Sequence, residues 1–164
     1  MARRTLRDKR ALSPVIATVI LVAVTIVVAV AVAYWMGGIA GLYTRMEKLQ
    51  IQSAYATSTS NLDFNGDGTG DGVSGWNLTI TVKNAGTADA TIDYIVINGK
   101  PYNSADYVSN VNVTQGINLQ TPIGQTKTVI ILIKSGAPFT AGTSIEVKLH
   151  SAAGMDYTQL ISLP

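Results

Sequence analysis

The chain has 164 residues, no cysteine and one histidine, His150. Without cysteine, neither a disulfide framework nor a thiolate metal site can form, and one histidine cannot supply a His-based zinc site. The length suits a leader and anchor of about 50 residues followed by one small domain.

The formal net charge of +2 is unevenly distributed along the chain. Residues 1–11 contain one acidic residue, Asp8, and five basic ones: Arg3, Arg4, Arg7, Lys9 and Arg10. The rest of the chain carries 7 basic residues (12 less 5) and 9 acidic residues (10 less 1), a net charge of −2. This mildly acidic body has no basic patch for specific nucleic-acid binding, and the basic N-terminus is predicted to stay in the cytoplasm by the positive-inside rule.

The stretch Val15–Met36, with the sequence VIATVILVAVTIVVAVAVAYWM, dominates the N-terminal part of the chain. As a helix its 22 residues would span about 33 Å, which matches the hydrocarbon thickness of a bilayer. Ser13 is a favoured N-cap residue and Pro14 is suited to the first helical turn, so we expect the helix to begin there. A helix that is apolar on every side must be buried in lipid or in protein.

The C-terminal limit of this helix follows from proline usage and from residue pattern. No proline occurs between Pro14 and Pro101, and the pattern after Met36 becomes amphipathic before it dissolves. The sequence therefore predicts one helix from Pro14 to about Gln52, some 39 residues and about 58 Å long, that ends near Gln52–Tyr55. Gly37 and Gly38 are expected to cause no more than a smooth bend.

Small residues recur at every fourth position along one face of this helix. They are Thr25, Ala29, Ala33, Gly37 and Gly41. Small residues at this spacing allow helix backbones to approach closely in a membrane, so this stripe is a candidate helix–helix contact. The alternative is that alanine and glycine are simply common in membrane helices.

Three interpretations compete for the junction between the basic leader and the apolar stretch. A secretory signal peptide would use Ala31-Val32-Ala33 as its cleavage site, but the apolar run is too long for an ordinary h-region. The pair Arg3-Arg4 suggests twin-arginine export, for which two adjacent arginines among five basic residues are weak support. The third interpretation depends on residues 9–16, KRALSPVI.

The segment Lys9 to about Leu42, with KRALSPVIATVILVAVT at its start, resembles the processing site and N-terminal helix of archaeal type IV pilin precursors. The resemblance implies cleavage of a class III leader peptide, residues 1–11, between Ala11 and Leu12 by a prepilin peptidase. Unlike bacterial relatives, this chain has no glutamate near the new N-terminus, so a charge pairing with the amine of a neighbouring subunit cannot set the register.

The family resemblance implies a helical homopolymer at the cell surface, formed by a precursor that first resides in the cytoplasmic membrane. It also implies an assembly ATPase and a membrane platform protein as partners. The domains expected are a leader (1–11), a hydrophobic helix (12–55), a Gly/Asp-rich connector (56–75) and a β-sandwich head (76–164).

The stretch Asp63–Ser74, DFNGDGTGDGVS, has the first half of a calcium-binding loop. The ligands at positions 1, 3, 5, 7 and 9 would be Asp63, Asn65, Asp67, Thr69 (through its carbonyl) and Asp71. Position 12 is Ser74 rather than a bidentate glutamate, and a strand follows where a helix is required. Calcium is therefore the one cofactor considered, and the alternative is a connector whose aspartates form local turns.

From Trp76 onward the pattern is that of β-strands. Six segments are rich in β-branched and aromatic residues and are separated by glycine, asparagine and proline turns: WNLTITVK, TIDYIVIN, VSNVNVT, KTVIILIK, TSIEVKLH and YTQLISL. About seven strands predict an immunoglobulin-like antiparallel sandwich, so the fold class is α+β. Asn98-Gly99 predicts a tight hairpin, and the continuously apolar run Val129–Ile133 predicts a central strand.

Catalytic motifs are absent from the sequence, and we expect no enzymatic activity. His150 ends a predicted strand with no obvious partner and is interpreted as a surface residue. Two sequons, Asn77-Leu78-Thr79 and Asn112-Val113-Thr114, are candidate N-glycosylation sites if their side chains face outward.

Two classes of function remain after these exclusions. In the first, the protein is the pilin subunit of an archaeal type IV pilus used for adhesion or surface attachment, and the related archaellins of motility filaments are not excluded. In the second, it is a single-span membrane protein whose β head binds a partner at the cell surface.

Overall fold

The computed structural model describes residues 14–164, which form two compact units divided between Thr44 and Arg45. The described part of the first unit is one helix, α1 (Pro14–Tyr43), of 30 residues. Pro14, the first described residue, is already helical, and Ser13 lies outside the described residues. The helix continues through Gly37 and Gly38, since a glycine in a helix interior costs only about 1 kcal/mol relative to alanine.

The predicted helix end near Gln52–Tyr55 is wrong. α1 ends at Tyr43, and Leu49–Leu62 form a strand, β1, of 14 residues that belongs to the second unit. The connector is correspondingly shorter than residues 56–75, since it lies between Leu62 and Val73, where the next strand begins. The boundary drawn at residue 76 for the head is therefore also wrong.

Long-range backbone hydrogen bonds explain why helix formation stops before Leu49. The Met46 amide donates to Oγ1 of Thr87 (3.0 Å), and the Met46 carbonyl accepts from the Thr87 amide (2.9 Å). The Lys48 carbonyl accepts from the Ala85 amide (2.8 Å), and Leu49 is 3% exposed in the core. These contacts with a segment about 40 residues away override the weak local preference of residues 45–52 for helix.

The head contains nine strands. They are β1 (Leu49–Leu62), β2 (Val73–Asn84), β3 (Ala90–Ile97), β4 (Lys100–Pro101), β5 (Val111–Gln115), β6 (Leu119–Thr121), β7 (Thr126–Lys134), β8 (Ser144–Ser151) and β9 (Asp156–Ser162). Every pairing between them is antiparallel.

The strands form two sheets. The first has the order β1-β2-β7-β5, and the second has the order β4-β3-β8-β9, with β6 also paired to β3. The prediction of a helix followed by an antiparallel β-sandwich is confirmed. β7 lies between β2 and β5, as its continuously apolar centre predicted. The Asn98-Gly99 hairpin is also confirmed, with φ of 47° and 76° at its two central residues.

Alternating residues of the two sheets fill the space between them. Leu78, Ile80 and Ile131 of the first sheet and Ile95 and Leu149 of the second are fully buried. This alternation leaves the intervening residues of each strand on the outer face of its sheet.

Asn84 is a buried polar residue whose hydrogen bonds organise the turn after β2. Its Nδ2 donates to the carbonyls of Ala88 and Thr121 (2.8 Å each), and its Oδ1 accepts from the Gly86 amide (2.8 Å). A Cβ atom on Gly86 would lie 2.4 Å from the Met46 carbonyl oxygen. Only glycine therefore fits where the chain entering β1 crosses this turn.

Candidate functional site

Helix α1 exposes apolar side chains around its whole circumference. It contains no charged residue, and none of its residues is buried within the protein. It is long and apolar enough to cross a membrane by length and composition. The hydroxyls of its two interior threonines bond within the helix, Thr18 to the Val15 carbonyl (2.8 Å) and Thr25 to the Leu21 carbonyl (2.7 Å). The helix therefore presents almost no unsatisfied polar side-chain group to an apolar environment.

The structure places the small-residue stripe on α1, as predicted. Thr25, Ala29, Ala33, Gly37 and Gly41 are four residues apart and share one helix face. No atom lies within 4 Å of a Cβ built on Gly37 or Gly41. The face thus has room for a closely packed second helix, and its use as a contact stays a prediction. The cleavage site between Ala11 and Leu12 lies outside the described residues.

The acidic loop between β1 and β2 is organised by hydrogen bonds to its aspartates. Oδ1 of Asp63 accepts from the amides of Gly66 (2.9 Å) and Asp67 (3.2 Å), and its Oδ2 accepts from that of Gly68 (2.9 Å). At the other end of the loop, Oδ2 of Asp71 accepts from the amide of Phe64 (2.9 Å).

Asp67 and Asn65 complete this network. Oδ1 of Asp67 accepts from the hydroxyl and the amide of Thr69, and the Thr69 hydroxyl is the main cause that holds the pKa of Asp67 below its usual value. Nδ2 of Asn65 donates to Oδ2 of Asp67 (3.0 Å) and Oδ1 of Asp71 (3.1 Å).

The hydrogen bonds of this loop are those of a series of local turns. Among residues 14–164, no group of three or more His, Cys, Asp or Glu side chains is placed to hold a metal ion. The carboxylates of Asp63, Asp67 and Asp71 are engaged by N–H and O–H donors instead. An ionised carboxylate has about four lone-pair sites, so acceptance of these hydrogen bonds does not by itself prevent the oxygens from coordinating a calcium ion. Calcium binding by the five residues stays a prediction.

The two sequon asparagines lie on the first sheet and are only half exposed. Nδ2 of Asn112, the atom that would carry a glycan, donates to the Phe64 carbonyl. Asn77 lies on β2, and its Oδ1 is buried without a hydrogen-bond partner among the described residues. A glycan on Asn112 of the folded chain would cost the hydrogen bond to Phe64. Glycosylation of either residue stays a prediction.

A cleft of about 500 Å³ opens on the outer face of the first sheet. Strands β1, β2, β5 and β7 and the acidic loop all contribute to its lining, which consists of Thr57, Thr59, Asn61, Leu62, Asp63, Gly66, Asn77, Thr114, Ile130 and Leu132. The sequence analysis missed this cleft. Thr57 and Thr59 alternate on β1, but Asn77, Thr114 and Leu132 come from strands whose order the sequence does not show, so no local pattern indicates the cleft.

His150 has a partner that the sequence analysis did not identify. Its Nδ1 lies 2.6 Å from Oδ1 of Asp156 across the β8–β9 hairpin, and Nζ of Lys148 lies 3.4 Å from Oδ2 of the same carboxylate. The hydrogen bond from His150 is the main cause that lowers the pKa of Asp156 from its usual value. All three side chains are substantially exposed, so the group is a surface charge cluster.

Comparison with known proteins gives no family. No protein-family model matches the chain, and no curated protein matches it. Solved structures share its arrangement distantly. One is the archaellum periplasmic stator protein FlaG from Sulfolobus acidocaldarius, with 20% identity and a TM-score of 0.41 over 70% of this chain and 99% of that chain.

Two further structures show a similar degree of likeness. The archaeal flagellum of Methanospirillum hungatei strain JF1 matches 93% of this chain and 94% of that chain, with 15% identity and a TM-score of 0.43. The archaellum periplasmic stator protein complex of FlaF and FlaG from S. acidocaldarius matches 70% of this chain and 89% of that chain, with 20% identity and a TM-score of 0.39. The function proposed below is therefore argued from the chain itself.

Proposed function

We propose that the protein is the structural subunit of an archaeal type IV pilus-like filament, in which α1 and its copies form the core and the heads form the surface. The observation that carries this proposal is the exposure of α1 along its length: 30 residues, no charge, and no residue buried by the rest of the described chain. Such a surface requires lipid or protein around it.

The sequence on both sides of the helix supports the same proposal. The leader with its five basic residues would hold the N-terminus in the cytoplasm before assembly. Tyr34 and Trp35 lie about 30 Å along the helix from Pro14, where aromatic side chains favour the opposite membrane interface. The resemblance of residues 9–16 to a prepilin peptidase site then supplies the step that frees the helix from its charged leader.

Removal of the leader is needed for a dry filament core. Five cationic side chains beside the helix start would otherwise have to be buried among neighbouring helices, at several kcal/mol for each unpaired charge. Filament subunits in this proposal therefore begin at Leu12 and act structurally, without catalysis, in attachment of the cell to surfaces.

Shearing of cells that produce the protein tests the proposal. We expect extracellular fibres that contain the polypeptide, with an intact mass that corresponds to a start at Leu12. A polypeptide that is found only in membranes would support the alternative of a single-span surface protein. A start at Tyr34 would identify a secretory signal peptide and overturn the proposal.

Motility distinguishes a pilus from an archaellum. A deletion strain that swims normally but attaches poorly is expected for a pilin. A strain that keeps attachment but loses swimming would assign the filament to the archaellins.

A further inference from the structure

The cleft on the outer face of the first sheet has the chemistry of a binding site for a neutral ligand. Its lining contains no lysine or arginine, and Asp63 is its one charged residue. Both oxygens of that carboxylate already accept backbone amides, from Gly66, Asp67 and Gly68. The cleft thus offers no cation for an anionic ligand, and its one carboxylate is already engaged in shaping the acidic loop.

Hydroxyl and amide groups make up most of the polar lining. Thr57, Asn77 and Thr114 come from three different strands, and Thr57 lies directly opposite Asn77 in the β1–β2 pairing. The Thr57 hydroxyl donates to the Asn77 carbonyl (3.3 Å), which leaves its oxygen able to accept a further bond. These groups can both donate to and accept from a ligand that carries several hydroxyls.

The Asn77 side chain is the strongest single indication of a ligand. Its Oδ1 is buried without a partner among the described residues, which costs about 1–3 kcal/mol in an otherwise satisfied sheet. Six side-chain oxygens of residues 14–164 are buried without a partner, and Oδ1 of Asn77 is the one that belongs to the lining of the cleft. A ligand hydroxyl that enters the cleft beside Asn77 would supply the missing donor after a small rotation of the amide.

The floor of the cleft is apolar. Ile130 and Leu132 lie on the outer face of β7, the interior strand of the sheet, and Leu132 is paired with Asn77. Tyr55 precedes Thr57 by two residues on the same face of β1 and is 51% exposed. Aliphatic and aromatic surface beside hydroxyls and amides matches a sugar ring, whose C–H face is apolar and whose edge is polar.

We propose that this cleft binds a neutral oligosaccharide, with Asn77 and Thr114 as hydrogen-bonding residues, Ile130 and Leu132 beneath the sugar ring, and Tyr55 at the rim. The cleft lies entirely within the unit Arg45–Pro164. The inference therefore does not rest on filament assembly and goes beyond it. In a filament, repetition of the cleft along the surface would add avidity to a weak individual site.

Nuclear magnetic resonance of the full chain tests this inference. The ¹⁵N-labelled protein is made in a host without N-glycosylation, so that Asn77 keeps its amide, and is held in micelles of a detergent without a sugar headgroup. Maltotriose, mannotriose, cellotriose and chitotriose are titrated separately to about 10 mM, a range that detects millimolar affinity. We expect at least one of them to shift the Asn77 side-chain amide and the backbone amides of β2 and β7 in a saturable manner.

Variants of residues inside and outside the cleft show where the oligosaccharide binds. Thr114→Val keeps the shape of the side chain and removes its hydroxyl, so we expect about threefold to tenfold weaker binding. Tyr55→Ala is expected to weaken binding similarly. Thr126→Val is the matched control, because Thr126 lies on the outer face of the same sheet, paired with Lys83, outside the cleft. It should leave the affinity unchanged.

Three results would overturn the inference. One is the absence of saturable shifts with all four oligosaccharides while the head shows a folded spectrum. The second is binding that Thr114→Val and Thr126→Val weaken equally. The third is saturation of the cleft by a capped tetraalanine peptide in place of any sugar, which would assign the cleft to peptides.

Discussion

The helix and the head differ in how their apolar side chains are shielded from water. In the head, the apolar side chains of two sheets cover one another, and residues such as Ile80, Ile131 and Leu149 have no exposed surface. In α1, Val15 and Val27 are 69% and 68% exposed, and no residue of the helix is buried. The head therefore contains its own stabilising partner, whereas the helix requires one from outside the described chain.

The magnitude of the hydrophobic effect shows how strong that requirement is. Full burial of one valine, leucine or isoleucine side chain contributes about 1.5–3 kcal/mol. α1 carries more than ten such side chains with about half or more of their surface exposed. Exposure of all of them to water would outweigh the whole stability of a typical domain, about 5–15 kcal/mol. Lipid, or copies of the helix in the proposed filament, would provide an environment that avoids this cost.

The largest effect is expected from a charge in the middle of the helix. Val27→Asp places a carboxylate where we propose a dry core, and an unpaired buried charge cannot be accommodated. We expect no fibres from cells that carry this variant, while the melting temperature of the head stays unchanged. Electron microscopy of sheared material and circular dichroism measure the two effects.

Asp106→Ala is the control for Val27→Asp, because it also changes the charge by one unit. Asp106 pairs with Lys100 at the surface of the head, and both side chains are more than half exposed. Fibres of normal abundance are expected from this variant. Normal fibres from Val27→Asp would show that the helix does not line a dry core.

A core substitution in the head, unlike Val27→Asp, should lower the stability of the head itself. Ile131→Ala removes a fully buried side chain from the interior strand β7 and should lower the free energy of unfolding by about 2–5 kcal/mol. Denaturant titration of the detergent-solubilised chain measures it. A loss below about 1 kcal/mol would contradict the packing described between the two sheets.

Gly86→Ala tests the point where the chain enters β1. Its new Cβ would lie 2.4 Å from the Met46 carbonyl oxygen and 2.6 Å from the Lys48 amide nitrogen, so backbone must move. We expect a loss of about 1–3 kcal/mol in the unfolding free energy of the head. Gly38→Ala is the control, since no atom lies within 4 Å of the added Cβ and the helix gains propensity. Equal effects of the two variants would mean that residues 45–48 do not lie against this turn.

The smallest effect is a pH dependence at Asp156. Because its pKa is lowered in the folded state, mainly by the hydrogen bond from His150, it contributes stability that is fully present above its unfolded value near 3.9. That contribution is lost as the pH falls through the folded pKa. We expect Asp156→Asn to reduce the difference in melting temperature between pH 5 and pH 3. An unchanged difference would show that the exposed cluster has no net effect on stability.

The parts of the fold that were predicted correctly depend on local pattern. The uniform apolarity of Val15–Met36, the alternation of residues 76–83 and the Asn98-Gly99 turn each specify their structure within a few residues. β1 was missed because Leu42, Met46 and Leu49 have the spacing of one helix face, which extended the helix over Leu49 and Ile51 although these two alternate as in a strand. Only the bonds to residues 84–88, which are distant in sequence, decide between them.

The candidate sites also depend on contacts between residues that are distant in sequence. The acidic loop was found by its composition, but sequence could not show that its carboxylates accept backbone amides. The pairing of His150 with Asp156 depends on the register of β8 and β9, and the cleft depends on four strands that are not consecutive in sequence. The order of strands could not be derived from the pattern, so neither feature could be predicted.

Protection of the helix in intact filaments is the most direct test of the central claim. The chain contains no cysteine, so Ala29→Cys and Thr126→Cys each introduce a unique thiol, one in the proposed core and one at an exposed position on the outer face of the first sheet. Maleimide labelling of sheared fibres should be rapid at Thr126→Cys and blocked at Ala29→Cys until the fibres are dissociated in detergent. Equally rapid labelling of both thiols in intact fibres would contradict the proposal that copies of the helix cover one another.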